Sequence, residues 1–164
     1  MSAAKLRIRA MEISNLLTPK SVAASLKAAN KKQAIQDLAK RAAPLFGCEE
    51  RVLFDVLMER ERLGSTGIGS GVAVPHGRLP GLDAPRGFFA RLEKPIDFEA
   101  VDNKPVDLIF LLLTPEGAGG DHLKALALVS RLLRDRTVCE KLRGTDRADA
   151  LYALLTDRSA SHAA

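Results

Sequence analysis

RERLGSTGIGSGVAVPHG, residues 60–77, is the stretch on which the fold turns. Arg60 and Arg62 close a helix with positive charge, where the helix dipole favours it, and the glycine-rich segment 64–71 follows. Val72, Ala73 and Val74 then read as an apolar strand that delivers His76, held between Pro75 and Gly77. The chain thus leaves its glycine loop into a strand, whereas phosphate-binding glycine loops run from a strand into a helix. The particular spacings fail as well. No lysine follows Gly71 until Lys94, and the third glycine of a dinucleotide fingerprint would fall on Val72. Neither Ser65 nor Ser70 has the flanking glycines of a nucleophile elbow. A doubly wound nucleotide fold is therefore disfavoured.

Working toward the N-terminus, residues 49–62 predict a helix with Glu49 and Glu50 in its first turn and Val52, Leu53, Val56, Leu57 and Leu63 as its buried stripe. Before it, Asn30 and Gln33 form a capping-box pattern, and Ile35, Leu38, Ala42 and Leu45 recur at helical spacing up to Phe46 and Gly47. Residues 13–17 form a short apolar segment stopped by Pro19, and 21–25 read as a short strand. In the other direction, residues 87–92 and 106–113 read as buried strands, with at most a brief strand at Ile96 between them. Asp121 reads as the cap of a helix carrying Leu123, Leu126, Ser130 and Leu133 on one face. Thr137 with Glu140, and Asp146 with Asp149, mark two last helices, the final one burying Leu151, Leu154 and Leu155.

Helices first, strands in the middle and helices last predict an α/β class, a single domain with a mixed β-sheet sandwiched between helices. The domain is expected to occupy residues 11–157, with a flexible N-terminus at 1–10 and a flexible tail at 158–164. A chain of 164 residues that is 46% hydrophobic is long enough for one substantial core. No apolar run reaches the roughly 18 residues of a membrane helix, and the first residues lack the apolar core of a secretory signal. No membrane insertion and a cytoplasmic location are expected. Cys48 and Cys139, outside any CxxC, read as buried structural thiols. Residues 1–41 hold nine basic and two acidic side chains, the rest sixteen and eighteen, so the net +5 belongs to the first quarter. With one Tyr and no Trp, no aromatic-interleaved basic motif exists, and no nucleic acid is expected as a partner.

The chemistry concentrates on His76. A neutral imidazole is a competent nucleophile near pH 7 and can carry a phosphoryl group. Phosphoryl transfer needs in-line placement and donors for the equatorial oxygens. The residues offer N–H groups of Gly67, Gly69 and Gly71 as an anion nest, hydroxyls of Ser65, Thr66 and Ser70, His122 in the first turn of a helix, and Arg60 as a charged fork. Spacing alone leaves each open. His76 reads sooner as a satisfied structural group and Arg60 sooner as a solvated helix cation, while His122 reads equally as a helix N-terminal residue. His162 falls in the tail and reads as inert. His76, His122 and His162 have no metal-ligand spacing, so no metal is expected.

The run 60–77, together with PIDFEAVDNKPVDLIFLLLTP (95–115) and the HLKALALVSRLLRD helix that starts at His122, resembles the type 2 enzyme IIA domains of the phosphoenolpyruvate-dependent phosphotransferase system. These are the mannitol and fructose class, and the likeness is greatest to the nitrogen-regulatory branch. The resemblance implies a mixed sheet between helices, with His76 as the phosphoryl acceptor and with His122 and Arg60 stabilising the phosphoryl group. It implies no cofactor. The donor it implies is a phosphohistidine on HPr or its nitrogen-branch counterpart NPr. Such a protein is formally a phosphotransferase that acts as a phosphocarrier and regulator, its targets including potassium-transport and nitrogen or stress-signalling components. A sugar-specific IIA that passes the group to a IIB domain is the alternative, and a domain that binds without being phosphorylated is a third reading.

Overall fold

The computed structural model describes residues 11–157, and the expected flexible ends, with His162, lie outside the described residues. Two short 3-10 turns (Ile13–Asn15 and Pro19–Ser21) lead into strand β1 (Val22–Leu26), helices α1 (Lys31–Phe46) and α2 (Glu50–Arg62), and strands β2 (Gly67–Gly69), β3 (Val72–Ala73), β4 (His76–Leu79), β5 (Arg86–Ile96) and β6 (Val106–Pro115). Helices α3 (Gly120–Arg134), α4 (Arg136–Arg143) and α5 (Ala148–Thr156) close the chain.

The six strands form one mixed sheet in the order β1-β5-β6-β3-β2, with β4 also pairing with β6. β6 runs antiparallel to β5 and parallel to both β3 and β4. Its unbroken apolar sequence follows from burial on two faces. Ile109, Leu111 and Leu113 join α1 and α2 in one core, whereas Leu108, Phe110 and Leu112 join α3, α4 and α5 in the other. The expected sandwich of a mixed sheet between helices is thus the observed architecture.

Local chemistry sets the helix ends. The Asn30 side chain accepts from Gln33 N–H at 2.9 Å, while the Gln33 side chain accepts from Ala29 N–H at 3.0 Å. Gly47 ends α1 in the left-handed region at φ 71, and Asp135 caps α4 by accepting from Thr137 and Val138.

Several expectations shift. In α2 only Leu53 and Leu57 of the proposed stripe are fully buried; Val52 is 39% and Leu63 84% exposed. α3 is capped by Gly119 at φ 58, not Asp121, and buries Ala125, Val129, Leu132 and Leu133. That face packs on Phe110 and Leu112 and leaves Leu123 70% exposed beside His122. α5 starts after Arg147, and its Leu154 is only half-buried. Cys139 is buried, but Cys48, between α1 and α2, is half-exposed. The glycine-rich segment, expected to be a loop, forms the β2–β3 hairpin at the sheet edge.

Candidate active site

Helix α2 packs across β4, where a Cβ on Gly77 would stand 2.5 Å from Val56 Cγ1. Glycine is needed there for the helix to approach. Arg60 lies one helical turn beyond Val56 on the same face, and the close approach brings it to His76. Arg60 Nε–H donates to His76 Nε2 at 3.1 Å, and its Nη1–H donates to Gly64 O at 2.8 Å. The second ring nitrogen, Nδ1, lies 2.8 Å from the Val74 carbonyl. A carbonyl only accepts, so Nδ1 carries the proton and Nε2 the lone pair. Both contacts select the same tautomer. Burial pushes the His76 pKa below its ordinary 6.5, and the Arg60 charge acts the same way; together they outweigh the Val74 bond and the Glu61 charge. At neutral pH the ring is an uncharged base with its nucleophilic nitrogen facing a guanidinium.

His122, in the first turn of α3, places its ring centroid 5.7 Å from that of His76. Its Nδ1 lies 2.5 Å from Oγ1 of Thr114, a fully buried residue of β6 that pairs in register with Arg78 on β4. Burial lowers the His122 pKa, followed by the charges of Arg78 and His76. Arg78 stands two residues after His76 on the same strand, hence on the same face, and brings a second guanidinium to this end of the sheet. Sequence reading missed Arg78 and Thr114. Period-two alternation from His76 points to Arg78; nothing local marks Thr114, which reaches the site through its pairing in the sheet.

The glycine-rich segment is committed elsewhere. Ser65 Oγ donates to Phe98 O at 2.7 Å and accepts from Gly67 N–H at 3.0 Å, and Thr66 donates both its N–H and its hydroxyl to Glu61. Ser70 N–H donates to Asp102 at 2.9 Å. A Cβ on Gly67 would stand 2.7 Å from Ala100 Cβ, Gly69 lies beside Asp102, and Gly71 lies against Arg143. Its glycines therefore let the hairpin close on segment 98–107. The structure brings Arg60, His76 and His122 together, but it does not bring Ser65, Thr66, Gly67, Gly69, Ser70 and Gly71 to them as an anion cradle.

A buried ionic cluster supports Arg60 from behind. Glu61, only 7% exposed, pairs with Lys31 Nζ at 2.9 Å and accepts both donors of Thr66. Lys31 also lies 5.1 Å from the Phe98 ring centroid, so α1, the end of α2 and the hairpin meet at one carboxylate. An acidic side chain in the last turn of a helix opposes the dipole, and that misplaced charge is the sequence signal for Glu61. Among the described residues no group of three or more His, Cys, Asp or Glu is arranged to hold a metal.

Residues 15–158 match the family model described as phosphoenolpyruvate-dependent sugar phosphotransferase system, EIIA 2. The chain belongs to this EIIA 2 family. A nitrogen regulatory protein of Bradyrhizobium diazoefficiens is 55% identical over 145 residues, covering 88% of this chain and 95% of that one. The crystal structure of the nitrogen regulatory protein IIA-Ntr from Neisseria meningitidis is similar at TM-score 0.83 and 35% identity, over 88% of this chain and 99% of that one. The IIA mannitol structure from Escherichia coli, 22% identical, shares the fold at TM-score 0.71, over 85% of this chain and 98% of that one. EIIA 2 membership thus covers both helical layers, the sheet and the segment holding Arg60, His76 and His122.

Proposed function

We propose that this EIIA 2 protein is a phosphocarrier and regulator that takes a phosphoryl group onto Nε2 of His76 from the phosphohistidine of an HPr- or NPr-like protein. The observation that carries the proposal is the doubly fixed tautomer, with Nδ1–H on Val74 O and the Nε2 lone pair at Arg60. The Nε2 lone pair attacks phosphorus and forms the new P–N bond. The electron pair of the donor's P–N bond returns to the donor ring, which enters as an imidazolium protonated on its other nitrogen and leaves as neutral imidazole, while the phosphorylated His76 keeps its Nδ1–H and takes up the ring charge. Arg60 then exchanges its bond to Nε2 for phosphoryl oxygens, while His122 and Arg78 meet the remaining charge. Adding roughly two negative charges to this face admits some partners and repels others, which makes the carrier a switch. The exchange takes place in the cytoplasm, between soluble proteins; no helix among the described residues is long and apolar enough to cross a membrane.

The 55% identity to a nitrogen regulatory protein supports a regulatory role. The proposed targets are potassium-transport or nitrogen and stress-signalling components. The test is single-turnover transfer of labelled phosphoryl from a phosphorylated HPr-like protein. Because the reactive form is neutral and the His76 pKa is lowered, the midpoint of the acid limb of the rate profile is expected below pH 6.5. A midpoint at or above pH 6.5 would contradict a depressed acceptor. In the same assay the charged protein should retain its label when mixed with a fructose- or mannitol-specific IIB; rapid discharge would establish the sugar-specific reading instead.

A further inference from the structure

The segment that leads through β3 to His76 starts, at residues 68–71, beside a second, chemically different place. Between β2, the start of β6 and helices α3 and α4 lies a cleft of about 590 Å³, a size that accommodates a nucleotide-sized molecule. Its registers place it away from His76. Val72 pairs with Leu108 and His76 with Leu112, so Asp107, at the cleft, lies five residues down β6 from the phosphoryl end, roughly 16 Å.

The charge lining the cleft is unbalanced. Lys104, Arg134, Arg136 and Arg143 face Asp107 and Glu140. Asp107 is committed to Arg143, accepting from its Nε at 3.0 and 2.9 Å, and Arg143 Nη2 donates to Ser70 O at 2.7 Å. Arg143 is therefore a fixed part of the wall. Among the described residues Arg134 and Arg136 make no side-chain hydrogen bond or ion pair, and Lys104 meets only the charge of the exposed Asp102 beside it, so cations still outnumber acids at the cleft. The contrast with the other arginines is informative: of the twelve among the described residues, nine have a partner, and Arg134 and Arg136 are two of the three that do not. Arg136 moreover stands at the first position of α4, the end at which the dipole disfavours a cation. Like charges gathered at a concave surface are mutually destabilising and focus a positive potential into it, and an anion relieves both. Beneath them Ile68, Pro95 and Pro105 give the cleft an apolar side on which a carbon framework can lie.

We infer that this cleft is a binding site for a small organic phosphate, of the nucleoside diphosphate class, separate from the phosphoryl-transfer site. Its phosphates meet Lys104, Arg134 and Arg136, and its apolar portion lies on Ile68, Pro95 and Pro105. The inference is independent of the proposed chemistry at His76.

Titration of the full chain with ADP, inorganic pyrophosphate and adenosine, by calorimetry and amide chemical-shift mapping at fixed ionic strength, tests it. ADP should bind more tightly than pyrophosphate, adenosine should show no binding, and the shifts should fall on 68–71, 104–107 and 133–143. The Arg134→Ser/Arg136→Ser double variant, which removes two unpartnered surface cations and leaves the fold intact, should weaken ADP at least tenfold. No ADP binding at 5 mM, ADP no tighter than pyrophosphate, shifts centred on His76, or affinity unchanged in the double variant would each overturn the site.

Discussion

His76→Ala is expected to take up no label from a phosphorylated HPr-like protein, at least 10³-fold below the parent chain, with an unchanged circular dichroism spectrum. The size of the effect follows from the role: the substitution deletes the attacking nitrogen, and no other imidazole among the described residues is held in the same tautomer by a carbonyl on one side and a guanidinium on the other. The stability cost stays small, about 1 kcal/mol, because the ring is half-exposed and its bond to Val74 O is a single hydrogen bond. Arg60→Ala in the same assay separates placement from chemistry. It leaves the nucleophile but removes the donor at Nε2, and the expected loss is about 10²-fold, the size seen when one charge-stabilising donor is deleted. Label uptake by His76→Ala at the parent rate would remove His76 from the mechanism.

The largest effect on stability is expected at Glu61. Glu61→Ala leaves Lys31, whose side chain is 14% exposed, with only the exposed Glu99 at 3.8 Å as an ionic partner, and orphans the N–H and hydroxyl of Thr66. Breaking a buried pair from one side costs about 3 kcal/mol, because the remaining charge keeps its desolvation penalty. For a domain of this size that corresponds to a fall of roughly 6–12 °C in Tm. Glu61→Gln retains an acceptor for Thr66 and should lose less. The consequence reaches the site, because Glu61 anchors the last turn of α2, from which Arg60 extends: the variant should also transfer more slowly at a temperature where it remains folded. A Tm within 2 °C of the parent would show that the cluster does not hold this corner together.

The fold was legible because its signals are local and periodic. The capping box at Asn30, the left-handed glycine at 47 and the doubly apolar run of β6 each act within a few residues, and together they imply helices on both faces of a sheet. The errors cluster where tertiary contact decides. α3 presents Ala125 and Val129 rather than Leu123 to the sheet because Phe110 and Leu112 lie beneath that face. The glycine-rich segment invited a phosphate reading by composition, yet its glycines answer close approach by Ala100, Asp102 and Arg143, none adjacent in sequence. At the site, Arg60, His76 and His122 were nameable from motif and position, but their arrangement required the packing of Val56 on Gly77 and the parallel pairing of β4 with β6. Glu61 and Lys31, thirty residues apart, become one group only in three dimensions.

The central claim is that His76 Nε2 is the nucleophile. Charging uniformly 15N-labelled protein with an HPr-like donor and recording phosphorus–nitrogen correlations reads the linkage directly. A single phosphohistidine at His76, with phosphorus bonded to Nε2, is the expected result; phosphorus on Nδ1 of His76, or on His122, would contradict it.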